Sequence, residues 1–97
     1  MDLMELKYQT KRRMDALNVR LSDIYNRRQI GERSCFLLPD GTVIALGGLP
    51  TFGAIVIEYA DNYDEAKRNR FEDGDLFYLE KMDEEAMFQA MLREIRQ

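Results

Sequence analysis

The densest chemistry in this sequence is acidic. Eleven carboxylates stand between Glu58 and Glu85, against only Lys67, Arg68, Arg70 and Lys81. Closely spaced carboxylates can bind a divalent cation, work as an acid–base pair, or hold a cationic partner. The cation reading would rest on Glu72-Asp73-Gly74-Asp75. An EF-hand loop alternates its ligands before the glycine and ends in Glu at the twelfth position, and this run does neither, so it reads as a helix stop flanked by solvated acids. Acid–base work needs a pocket that raises one carboxyl's pKa. A chain of 97 residues has little interior for such a pocket, and no pair among the acids stands apart. Two readings remain: a solvated acidic face of a small soluble domain, or a surface that holds a cationic partner.

The rest of the inventory removes the commoner catalytic sets. Histidine is absent, which excludes Ser-His-Asp and Cys-His machinery and any imidazole ligand. The single cysteine excludes an internal disulfide and Cys-rich metal sites. In Ser34-Cys35-Phe36-Leu37-Leu38 no base is close in sequence, so Cys35 reads as a small buried hydrophobe. The glycines of Gly47-Gly48-Leu49-Pro50-Thr51-Phe52-Gly53 suggest a phosphate cradle. The loop lacks a Lys-Ser/Thr ending and leads into a strand instead of a helix, so it reads as a connection. The expectation is no enzyme, no cofactor and no metal.

Charge is unevenly placed. Residues 1–33 carry +3 and residues 34–97 carry −7, which gives the net −4. Such a split suggests charged partners or head-to-tail assembly. Arg12, Arg13, Arg20, Arg27, Arg28 and Arg33 are the candidate phosphate contacts of a nucleic-acid reading. The stretch Ala16–Tyr25 sounds like part of a helix-turn-helix, but its turn glycine and partner helix are missing, and a net negative field opposes DNA. The alternative is that these arginines form a solvated face, or pair with acids of the second half or of another copy.

Six of the ten aromatics lie among the acids: Tyr59, Tyr63, Phe71, Phe77, Tyr78 and Phe88. Phe88 and Phe71 read as core, whereas Tyr63, Phe77 and Tyr78 fit no periodic pattern. Either these rings pin irregular chain onto the sheet, or they supply buried anchors at an interface where acids steer a basic partner and fix its register. The candidate partner-binding set is therefore Asp61, Tyr63, Asp64, Glu72, Asp73, Asp75, Phe77, Tyr78, Asp83, Glu84 and Glu85.

The elements that must position these residues follow from periodicity. Leu3, Thr10, Leu17 and Ile24 are seven apart, with Met14 and Leu21 interleaved. This predicts one long helix over 2–28, ended by Gly31, with Ser22 as a capping point for a second helix if it kinks. Ser34–Leu38 and Thr42–Leu46 flank Pro39-Asp40-Gly41, a hairpin signal with Gly at positive φ. Ala54–Tyr59 is rich in β-branched residues and reads as a central strand, with Glu58 at its solvent-facing end. Asn62 followed by Glu65 resembles a capping box and starts a short helix from Tyr63 to about Phe71, which Gly74 can end. Asp75–Leu79 is ambiguous between an extended link and a helical turn. Asp83 caps a final helix whose stripe is Met87, Phe88, Met91, Leu92 and Ile95. The predicted fold is α+β over a single domain, 1–97: a three-stranded antiparallel sheet packed by a long N-terminal helix and two C-terminal helices, in the order α-β-β-β-α-α. The long helix can extend past the sheet and leave part of its stripe for another copy, a possible homodimer.

In element order, and in the crowding of Glu58, Asp61, Asp64, Glu65, Glu72, Asp73, Asp75, Asp83, Glu84 and Glu85, the chain resembles some small anti-CRISPR proteins of phages and mobile elements. The resemblance implies a mode of action, carboxylates occupying the basic DNA-binding cleft of an RNA-guided nuclease. It is a likeness of architecture and carries over no individual functional residue. The longest apolar-plus-Gly run, Val43–Leu49, falls far short of the ~20 residues that span a bilayer. Asp2 and Glu5 stand where a signal segment would be apolar. The expectation is a non-enzymatic, cytoplasmic protein-binding domain with a basic protein partner and no membrane.

Overall fold

The computed structural model describes residues 2–96. Helix α1 (Leu3–Ser22) begins where the Asp2 carboxylate accepts a hydrogen bond from the Glu5 N–H, 2.8 Å away. It buries Thr10, Leu17 and Leu21, the predicted stripe. Thr10, a polar residue in that stripe, satisfies its hydroxyl on the Leu6 carbonyl at 2.7 Å. The helix stops at Ser22, six residues before the expected end. Ile24, the last heptad position, lies exposed beyond it, and residues 26–30 form a strand.

That strand belongs to a five-stranded antiparallel meander, β1 (Asn26–Ile30), β2 (Arg33–Leu37), β3 (Val43–Leu49), β4 (Ala54–Ala60) and β5 (Glu72–Tyr78), in chain order across the sheet. The predicted three strands are its interior, and two edge strands were missed. Gly31, at φ +60°, takes the first position of the β1–β2 turn instead of ending a helix. The β2–β3 turn has the expected chemistry: Gly41 sits at φ +93°, and Asp40 accepts from the Thr42 N–H at 2.9 Å. A 3-10 turn, Pro50–Phe52, joins β3 to β4 and closes on Gly53 at φ +60°. Helix α2 is only Tyr63–Lys67, capped by Asn62 as expected but ending four residues short of Phe71. Gly74 lies inside β5, where Gly74 and Asp75 oppose the single β4 residue Ile57 between Glu58 and Val56, a β-bulge.

The first four residues of β3 and the first four of β4 are buried on both faces because both faces are covered. On one face α1 and α3 (Glu84–Ile95) enclose the main core, in which Leu17, Leu21, Phe36, Ile44, Ile57, Phe77, Met87 and Met91 meet. On the other, Ala66 of α2 packs with Cys35, Val43, Ala45 and Ala60. Small side chains let that short helix lie close to the sheet. Cys35 is fully buried, as expected, and burial pushes its thiol pKa up. No helix among the described residues is long and apolar enough to cross a membrane.

Candidate functional site

The sheet divides the acids that the sequence runs together. β4 and β5 are antiparallel, with Tyr59 opposite Glu72 and Glu58 opposite Asp73. Asp61, just before α2, and Tyr63 and Asp64 at its start therefore lie about the same edge of the molecule as Glu72, Asp73 and Asp75, with Glu72 on the α3 face beside Tyr59 and Asp73 on the α2 face beside Glu58. All five of these carboxylates are exposed. Among the described residues, none of their side chains makes an ion pair or a hydrogen bond. Tyr63 is exposed beside them, with the Lys67 ammonium 5.5 Å from its ring centre.

This edge is tied to α3 through a residue the sequence reading did not select. Glu94 accepts from the Tyr59 hydroxyl with one carboxylate oxygen and from the Asp75 backbone N–H at 2.8 Å with the other. Burial, and then the hydrogen bond to Glu94, raise the Tyr59 pKa above the ordinary phenol value. Gly74 makes room for the clamp, because a Cβ there would lie 2.7 Å from Glu94 Oε2. The available signal was weak: Glu94 is one of many acids, and only its place two turns beyond Met87 puts it on the inner side of α3.

Asp83, Glu84 and Glu85 stand elsewhere. α3 runs back along β5, so its N-terminus is ~16 Å along the helix from Glu94. There Asp83 accepts from the Ala86 N–H at 2.8 Å. Arg20 of α1 lies 2.5 Å from the Glu85 carboxylate and 3.6 Å from that of Glu84, with its guanidinium 4.1 Å from the Phe88 ring centre. The hydrogen bond from Arg20 holds the Glu85 carboxyl below the usual range. Of the two remaining rings, Phe77 is in the main core and Tyr78 is half-buried beneath Lys81.

Two further acids are paired. Glu58 is not at a solvent-facing end. It is half-buried and accepts both Arg33 guanidinium nitrogens, at 2.6 and 3.3 Å, while that guanidinium stacks 4.6 Å from Phe71. Glu65 lies 3.4 Å from Arg70. The arginines of residues 1–33 are similarly engaged: Arg13 donates to the Met82 carbonyl at 2.9 Å, and Arg27 to Ser22 and Ser34. Arg12 and Arg28 alone of the six have no side-chain partner among the described residues. The described residues bring no three of Cys, Asp and Glu into an arrangement that could hold a metal ion.

No family model matches this chain, and no curated protein or solved structure is significantly similar to it.

Proposed function

We propose that this chain is a non-enzymatic, cytoplasmic protein-binding domain whose acidic edge engages a basic protein surface of the nucleic-acid-binding kind, as an inhibitor would. One observation carries the reading. Asp61, Asp64, Glu72, Asp73 and Asp75 lie about the β4–β5 edge, are exposed, and have no partner within the described chain, whereas Glu58, Glu65, Glu84 and Glu85 are each held by an arginine. Unpaired surface carboxylates keep their field, which steers a cationic partner and sets its register. The clamp on Asp75 and the bulge at Gly74 fix that edge, so less ordering is left for binding. Tyr63 supplies an exposed ring beside the acids, of the kind that anchors interfaces.

The test is a charge reversal. Asp61→Lys, Asp64→Lys and Asp73→Lys together leave the thermal transition intact and abolish salt-sensitive capture of basic proteins from lysate. A polyanion such as heparin releases the captured protein from the wild-type chain. Glu84→Lys with Glu85→Lys lowers stability but leaves capture unchanged. Equal capture by the triple variant and wild type refutes the reading.

A further inference from the structure

Away from the acidic edge, one surface presents both a projecting ring and a groove. Phe52 stands on the 3-10 turn with 70% of its surface exposed. It also lines a groove of about 410 Å³ with Leu6, Arg13, Gly53, Leu79 and Glu80. The turn is fixed, because Gly53 is in the left-handed region and Leu6 of α1 sits directly against it. One turn before Leu6, Leu3 lies on the sheet-facing stripe of α1 yet is 49% exposed. The apolar stripe is longer than the sheet that covers it.

The charges in this groove are also incomplete. Arg13 uses Nη1 on the Met82 carbonyl and on the Met87 sulfur. Among the described residues no carboxylate lies within ion-pair distance of it, Glu80 included. Glu80 is exposed and makes no side-chain hydrogen bond among them. The groove lining therefore holds one cation and one anion that do not satisfy each other within the chain, while Glu5 at its border is engaged by Gln9.

We infer that this surface, formed by the first turns of α1, the Pro50–Phe52 turn and Leu79–Glu80, is a two-fold interface with a second copy of this chain. A two-fold axis sets the same patch against itself. The patch then needs its own knob and its own hole, and groups of both signs, which is what it has. Phe52 of each copy enters the groove of the other, and Arg13 meets Glu80 across the axis. A partner of strong single-sign charge has nothing to match here, unlike at the acidic edge. The apolar area of a few side chains is below that of a standard interface, so the dimer is weak.

Light scattering and sedimentation equilibrium on the full chain, up to ~1 mM, test this. The wild-type chain shows a reversible, concentration-dependent dimer. Phe52→Asp and Glu80→Arg each raise the dissociation constant ~tenfold or more, as loss of a central anchor does. Both positions are exposed, and an unchanged circular-dichroism melt shows that each variant is folded. The Asp61→Lys, Asp64→Lys, Asp73→Lys variant dimerises as wild type does, so this interface and the acidic edge fail independently. A wild-type chain that stays monomeric throughout overturns the inference, as does a dimer that Phe52→Asp leaves unaltered. So does a monomer on which a different bound protein protects Phe52.

Discussion

Replacing Gly74 by alanine tests the clamp that holds the acidic strand. Where the backbone suits both residues, this exchange gains ~0.4–1 kcal/mol, because alanine loses less freedom on folding. At Gly74 the new Cβ would lie 2.7 Å from Glu94 Oε2, 2.8 Å from Tyr59 Cε2 and 3.1 Å from the Ile57 carbonyl oxygen. That carbonyl is part of β4 and cannot retreat. The two side chains can retreat only by parting from each other. A hydrogen bond to a charged group is worth ~1.5–3 kcal/mol, less here because both groups keep some contact with water. Crowding the bulge costs a further ~1–3 kcal/mol. The net loss is ~2–4 kcal/mol, and a domain of this size gives up ~4–8 °C of Tm per kcal/mol, so Tm falls by ~10–25 °C. Calorimetry measures it. On a Tyr59→Phe background the same exchange loses about half as much, since the bond is already gone. Gly48→Ala is the control: its nearest neighbours are Met14 and Thr10 at 3.6 and 3.7 Å, ordinary contacts, and its Tm stays level or rises. A Gly74→Ala Tm within ~3 °C of wild type would refute the clamp. The raised Tyr59 pKa adds a pH signature. Its neutral phenol is favoured in the fold, so that stabilisation is complete below the ordinary value near ~10 and is lost as pH rises beyond it. Tyr59→Phe removes this alkaline loss.

Three further outcomes follow from the paired and buried groups. Arg33→Met strands the half-buried Glu58 and costs ~1–3 kcal/mol in urea melts, whereas Arg33→Met with Glu58→Leu costs less than the single change. Cys35, buried and with a raised thiol pKa, reacts with an aromatic disulfide reagent at pH 8 only as fast as the chain unfolds; rapid labelling of the folded chain contradicts the assigned burial. The lowered Glu85 pKa gives stability that is present above the ordinary carboxyl value near ~4.3 and is lost as pH falls through the folded value. Arg20→Gln therefore lowers Tm at neutral and alkaline pH by a constant amount and flattens its fall below about pH 5.

The interior strands, the caps at Asn62 and Asp83 and the burial of Cys35 were legible because their signals are local: alternation, β-branching and turn chemistry. The edge strands were not. β1 reads Asn-Arg-Arg-Gln-Ile, and an edge strand exposed on both faces has no apolar alternation to show. The heptad step from Leu17 to Ile24 carried the helix reading straight across it. β5 hides behind its acids and its bulge glycine, with Leu76-Phe77-Tyr78 as its only β-rich part. One clue was available. A strand as uniformly apolar as Ala54–Tyr59 needs a neighbour on each side, and the only chain left to supply the second is the segment beginning at Glu72. At the candidate site, the sequence showed how many acids there are but not which remain unpaired, since Arg20 and Glu85 meet only when α1 crosses α3.

Those pairings change what the charge count means. Read along the chain, the excess of carboxylates runs unbroken from Glu58 to Glu85. In the fold, Arg20 takes up the α3 end and Arg33 the middle of β4, so the basic first third neutralises part of the acidic remainder from within. The acids that keep their field are those the sheet carries to the edge farthest from β1, where Arg27 and Arg28 stand. Four strand spacings, ~19 Å, separate the two edges, about twice the screening length at physiological salt. On the proposed reading, a basic partner meets this edge as a local negative surface that the chain's own edge arginines do not cancel. Its binding is expected to follow the charge of that edge and to be insensitive to the molecule's net charge. Reversing Arg27 and Arg28 to Glu makes the chain more acidic by four units yet leaves partner affinity within about twofold. A large gain in affinity from that change would mean that the whole-molecule field does the work.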